Sequence, residues 1–246
     1  MDLLLKYTTA VAILVSAICF SSCHDSTQPQ TGKVVYTVNL VPGLGSDEAA
    51  LNELDQLSEL FQSGTIEWHF SKNGEAVIHN FQLMGEPFKM RDLIDKQSNT
   101  QTVLVEFLGE KIAFQKNEGE LKRARELIQS GISHIVNRED RKEILGCDCV
   151  GFEGYYESEQ QNINYSGYLC EDLEMVASFV QGLDFNPFQG ALFEVNVGFG
   201  MAQIQYRANT MVKSADRSVF EYQIEDYSII PAGQLNPGNP LLPGIR

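Results

Sequence analysis

The chain has 246 residues, carries 33 acidic against 18 basic side chains, and has a formal charge of −15. A field of that sign repels nucleic acid and anionic lipid surfaces, so neither is expected as a partner. Beyond the first 22 residues no apolar run reaches the length of a membrane-spanning helix.

Taken in order, the chain opens on a leader. Lys6 gives a thin positive start, and Val11 to Phe20 is an apolar run of signal-peptide length. It ends at Phe20-Ser21-Ser22-Cys23, which resembles the lipobox of bacterial lipoproteins, small residues before a cysteine that becomes the acylated N-terminus. Phe20 stands where Leu is usual, and an ordinary secretory signal cut nearby is the alternative. Residues 1–22 are therefore expected as a lipoprotein signal, Cys23 as the lipidated residue and membrane anchor, and 23–32 as a polar tether. Residues 33–233 show no repeat and no linker, so one domain is expected there, with 234–246 as coil.

Lys33 to Val41 alternates as a first strand. Ser46 then caps a helix whose Leu51, Leu54, Leu57, Leu60 and Phe61 recur on one face. Its other face is acidic, which fits packing on a sheet better than lying on a membrane. Ile66, Trp68 and Phe70 alternate up to Asn73-Gly74, a two-residue hairpin signal that pairs Lys72 with Glu75 and Trp68 with His79. His69 faces the other way. Strands are expected over Phe88–Ile94, Thr102–Leu108 and Lys111–Gln115, then a helix over Glu120–Ser130 with Leu121, Ala124, Leu127 and Ile128 inward. A further strand covers Ser133–Asn137.

The longest hairpin pairs Ile144–Phe152 with Ile163–Cys170. Opposing Cys149 to Cys170 puts Val150, Phe152 and Tyr156 on one face with Leu169, Tyr165 and Ile163. Once Cys19 leaves with the signal and Cys23 is acylated, Cys147, Cys149 and Cys170 remain. That count fits one disulfide and one spare thiol in a secreted chain. Cys149–Cys170 is the expected bridge and Cys147–Cys170 the slipped alternative. A short helix is expected at Leu173–Val180, strands at Ala191–Val197 and Met201–Val212, and a last strand at Ser218–Ile230.

Three stretches carry a family resemblance: Leu93-Ile94-Asp95-Lys96 with Thr102-Val103-Leu104; Ile144-Leu145-Gly146-Cys147-Asp148-Cys149 answered by Tyr168-Leu169-Cys170-Glu171-Asp172-Leu173; and Val219-Phe220 through Ile230-Pro231-Ala232-Gly233. With the element order, they resemble a family of uncharacterised envelope lipoproteins of the LolA/LolB class. The resemblance implies an α+β fold: a strongly curved antiparallel β-sheet, or half-barrel, with helices across its concave face. It also implies a Gram-negative cell envelope, at the outer membrane.

By the same resemblance, the concave face is expected to bind a lipid or other apolar ligand. Trp68, Phe70, Phe81, Phe107, Phe152 and Tyr165 would line it, and Leu54, Leu57 and Phe61 of the first helix would cover it. The competing reading, from a different class, is a structural, sensor or protein-interaction subunit of the envelope with a solid core. Catalysis is not expected. No Gly-x-Ser-x-Gly elbow, His-Glu-x-x-His or phosphate-binding loop occurs, so no cofactor or metal is implied. Glu171-Asp172-x-Glu174 lacks the glycine and spacing of a calcium loop.

Overall fold

The computed structural model describes residues 31–42, 64–83, 85–157, 162–180, 183, 185–199, 202–214 and 216–230. The expected signal, Cys23, the tether, the Leu51–Phe61 helix and the C-terminal coil lie outside these. Twelve strands form one sheet: β1 (Gly32–Pro42), β2 (Thr65–Phe70), β3 (Gly74–Leu83), β4 (Glu86–Asp95), β5 (Thr100–Phe107), β6 (Glu110–Lys116), β7 (Ile132–Ile144), β8 (Cys147–Glu157), β9 (Asn162–Cys170), β10 (Ala191–Phe199), β11 (Ala202–Val212) and β12 (Ser228–Ile229). Their order is β12-β6-β5-β4-β3-β2-β1-β11-β10-β9-β8-β7. Every pairing is antiparallel except that of β12 with β6.

One connection fixes the curvature. The α-helix α1 (Glu118–Gly131) links β6 to β7, which stand ten strand steps apart in the sheet. Flat, those steps would cover about 48 Å. Fourteen helical residues reach only about 21 Å, so the sheet must curl until its two ends approach. It does not close, because β7 and β12 are both edges. Asn117 starts the helix with a reciprocal capping box to Glu120. Leu121 and Ile128 are buried and Ala124 packs beside them, but Leu127, expected inward, is 71% exposed.

Alternation along the strands separates two apolar layers. The larger gathers Val34, Tyr36, Trp68, Val77, Phe152, Tyr165, Val195 and Tyr206 with Leu121 and Ile128 of α1, residues from both arms of the sheet, and so lies inside the curve. The smaller, Ala76, Leu93, Leu104 and Ala113, lies outside beneath Tyr227, Val219, Phe220 and Ile224. The expected strand at Ser218–Ile230 is mostly not one. Two 3-10 turns, Arg217–Phe220 and Ile224–Asp226, lay its apolar side chains onto the outer layer, and only Ser228–Ile229 pairs.

Two other local expectations change. Ile144–Phe152 is not one strand. Leu145 and Gly146 both take positive φ, 53° and 80°, the conformation of a tight hairpin turn, so β7 ends at Ile144 and β8 begins at Cys147. The β2–β3 hairpin turns one residue earlier than the Asn-Gly signal implies, which shifts the strand pairing by two. Ser71 pairs with Gly74 across a Lys72-Asn73 loop, and the Ser71 hydroxyl accepts from the Asn73 and Gly74 amides. Gly74 has no positive φ. It is glycine because a Cβ there would lie 2.5 Å from the Ile94 carbonyl oxygen of β4. Trp68 therefore stands opposite Val77, and His79 opposite Ile66.

His79 is buried on the inner side, its ring 5.9 Å from that of Phe81. Burial lowers its pKa from 6.5 to about 4. Between those values the unfolded chain binds the extra proton, so stability rises with pH across that window and is lost on acidification. The full loss is about 3 kcal/mol. Urea unfolding from pH 7 to pH 4 is expected to show this slope, and His79→Phe is expected to remove that share of it. Equal slopes in the two proteins would refute a buried neutral imidazole.

Candidate apolar binding face

The inner face has two parts. Over β1, β2 and β8–β11 it is filled by the chain itself. Leu173–Val180 does not form the expected short helix but runs across the sheet, and Ala177 makes a β-bridge to Phe185. Phe179 sits between Tyr36, at 4.3 Å, and Tyr206, at 5.4 Å. Phe188 packs on Phe152 at 4.5 Å and edge-on to Tyr165 and His134. The Asn186 side chain ties the returning turn by donating to the Met175 and Gly190 carbonyls. Leu173, Met175, Ala177 and Phe179 are buried at alternate positions, but Ser178 and Val180 are buried as well, so periodicity alone does not separate strand from helix here.

A single carboxylate pins this segment. Glu75, opposite Phe70 at the start of β3, is fully buried among the inner apolar residues. It accepts hydrogen bonds from the Trp68 indole at 3.1 Å and from the Val176 and Ala177 amides at 2.9 and 3.0 Å. Lys96 pairs with it at 2.8 Å. Burial alone would lower the Lys96 pKa, but the Glu75 charge beside it holds it above its ordinary value. Nothing in sequence spacing distinguishes Glu75 from a solvated turn residue, because Lys96 lies about twenty positions away and the Val176 and Ala177 amides about a hundred.

The second part of the inner face lies over β3–β6. Phe81, Phe88, Met90, Val103, Phe107 and Ile112 are only half-buried there, and Phe88 meets Phe107 across the β4–β5 pair at 5.9 Å. One polar handle sits among them: Gln101 donates to both oxygens of buried Asp92, while its own buried carbonyl oxygen has no hydrogen-bond partner. The buried Tyr165 hydroxyl likewise has no partner among the described residues, and burial raises its pKa.

The expected lining residues thus divide between the two parts. Trp68, Phe70, Phe152 and Tyr165 are buried together in the filled part. Phe81 lies at its border, and Phe107 belongs to the half-buried part. Leu54, Leu57 and Phe61 fall outside the described residues. At the far end of the inner layer, Val150 pairs with Leu169, the register that sets Cys149 against Cys170. Cys147, Cys149 and Cys170 all carry free thiols, so the expected Cys149–Cys170 bridge is not formed in this structure.

No protein-family model matches the sequence, and no curated protein matches it. In structure the chain is similar to the lipoprotein LppX of Mycobacterium tuberculosis, with 10% identity, a TM-score of 0.33, and 75% of this chain and 88% of that one covered. LprF of Mycobacterium bovis is similar at 8% identity and a TM-score of 0.32, over 74% of this chain and 86% of that one. A β-barrel-like protein of unknown function from Brucella abortus gives 8% identity and a TM-score of 0.37, over 74% and 97%. At such scores the likeness is one of outline and assigns no function.

Proposed function

We propose that the chain is a non-catalytic lipoprotein of the cell envelope, anchored through an acylated Cys23, that holds a lipid or other apolar ligand in the curve of its sheet. The 33–233 domain would act as the binding unit, at the outer membrane of a Gram-negative envelope. The observation that carries the reading is the division of the inner face. One part is satisfied by the chain's own Phe179 and Phe188, and the other offers Phe81, Phe88, Met90, Val103, Phe107 and Ile112 half-buried. Leu54, Leu57 and Phe61, which lie outside the described residues, would cover that face in this proposal. Each CH2 of a ligand buried there contributes about 0.8 kcal/mol, so an acyl chain binds usefully without an ion pair.

The competing reading, a structural or interaction subunit, draws on the filled part, where Trp68 and Tyr165 already have neighbours. The two readings part on a titration. Protein lacking its own acyl group is mixed with an environment-sensitive fatty probe. Saturable uptake at one site is expected, weakened about tenfold or more in Phe107→Glu, because a carboxylate facing an apolar ligand must be desolvated. Saturation unchanged by Phe107→Glu, or no uptake by the folded protein, would favour the structural reading.

A further inference from the structure

Three thiols meet where β8, β9 and the pinned segment join, and the apolar face makes no use of them. Cys149 and Cys170 are 0% and 1% exposed, whereas Cys147 is half-exposed. Cys147 and Cys149 both lie against the Cys170 side chain. The Cys149 thiol also lies 3.6 Å from the Cys147 carbonyl oxygen, and Cys147 Sγ lies 3.9 Å from Met211 Sδ. A bridge between the opposed Cys149 and Cys170 suits the strand geometry, yet neither sulfur can be reached from solvent. We propose that Cys147 is the entry thiol of a disulfide relay, taking the bond from an external disulfide and passing it inward to Cys149–Cys170.

Interaction with Cys147 and Cys149, and with the Asp172 and Leu173 amides, lowers the Cys170 pKa and makes it the most acidic of the three thiols. The Cys170 side chain and burial raise the Cys147 and Cys149 pKa values, Asp172 adds to this at Cys147 and Asp148 at Cys149, and Lys213 works against it at Cys147. The oxidant is a small or protein disulfide, RSSR. Cys147 loses its proton to solvent and attacks RSSR, forming a Cys147 mixed disulfide and releasing RS−, which takes up a proton and leaves as RSH. Cys170 then gives up its proton and attacks the Cys147 sulfur, closing Cys147–Cys170 and expelling the second RS−, which leaves with that proton as RSH. Finally Cys149 attacks the Cys170 sulfur, and Cys147 leaves with the Cys149 proton. RSSR has gained two electrons, Cys149–Cys170 is the oxidised pair, and Cys147 is a free thiol again. The relay accounts for the odd third cysteine, and it runs backwards when a dithiol reductant meets Cys147.

The test is oxidation of the reduced, folded protein by oxidised glutathione, followed by alkylation and fragment-resolved peptide mapping. Wild type is expected to end as Cys149–Cys170 with Cys147 alkylated. Cys147→Ser is expected to reach the same bridge about tenfold or more slowly, with unchanged thermal melting. Cys149→Ser is expected to stop at Cys147–Cys170, and Cys170→Ser to accumulate glutathione on Cys147. The Cys170→Ser adduct reports the entry point even if Cys147→Ser folds poorly. Oxidation of Cys147→Ser at the wild-type rate, glutathione landing on Cys149 in Cys170→Ser, or no bridge in Cys149→Ser would overturn the relay.

Discussion

Glu75→Ala is expected to destabilise the protein by about 3–4 kcal/mol, at the lower end for breaking a buried ion pair because Lys96 keeps some contact with water. The loss is more than one interaction. It strands the Trp68 indole N–H and the Val176 and Ala177 amides, each of which has Glu75 as its recorded acceptor. For a domain of this size, that corresponds to a melting shift of about 10 °C. Trp68 reports the local event: its emission should move to longer wavelength as Leu173–Phe188 loosens and water reaches the indole. Glu75→Gln keeps an acceptor oxygen and should lose less. Lys96 sets the opposite limit in pH. Its folded pKa is raised, so its share of the stability is complete below the unfolded value of 10.5 and falls as pH rises through the folded one. Glu75→Ala melting within about 2 °C of wild type would show that the carboxylate does not hold the segment.

Gly167→Ala is expected to be more damaging still. Gly167 lies in β9 opposite Phe152 of β8 and Val195 of β10, beside the bulge between Leu192 and Glu194. The bulge drives the β10 backbone across the glycine. A Cβ there would overlap the Glu194 carbonyl, backbone atoms that no rotamer change can move. The β9–β10 ladder must part to admit it, at a cost of more than about 4 kcal/mol, in the range that marks a broken backbone fit. Far-ultraviolet circular dichroism and urea unfolding should find little cooperative folded protein. Gly119→Ala, in the first turn of α1 with only the Asn117 side chain near its Cβ, is the matched control and should be neutral or slightly stabilising. A Gly167→Ala protein that unfolds at the wild-type urea concentration would contradict the close approach.

What the sequence discloses, and what it does not, follows from how far each signal reaches. Strand period is local, so β1, β4, β5, β6, β10 and β11 lie within a few residues of where alternation puts them. The faces of β8 and β9 could be read because Val150 and Phe152 must lie on the side of Leu169 and Tyr165, though the slipped Cys147–Cys170 alternative stayed open. A two-residue slip keeps every side chain on its face, and for that reason the β2–β3 register was not legible from pattern. It rests on the Ser71 hydroxyl and on the approach of Ile94 to Gly74. The filling of the inner face was less legible still. Leu173 to Val180 is apolar enough for a helix, and its choice of an extended path depends on Glu75, a hundred residues earlier. Phe107 could be nominated by alternation, but its half-buried state, against the full burial of Trp68, depends on which part of the curve Phe179 and Phe188 occupy.

The central claim is that an apolar ligand lies over β3–β6, and photolabelling tests it most directly. A fatty acid carrying a photoreactive diazirine is bound to protein lacking its own acyl group, irradiated, and mapped by peptide sequencing. Label is predicted on the segments holding Phe81, Phe88 and Phe107, and it should be competed away by unlabelled fatty acid. Label spread over the outer face around Val219 and Phe220, or label that unlabelled ligand does not displace, would contradict the account.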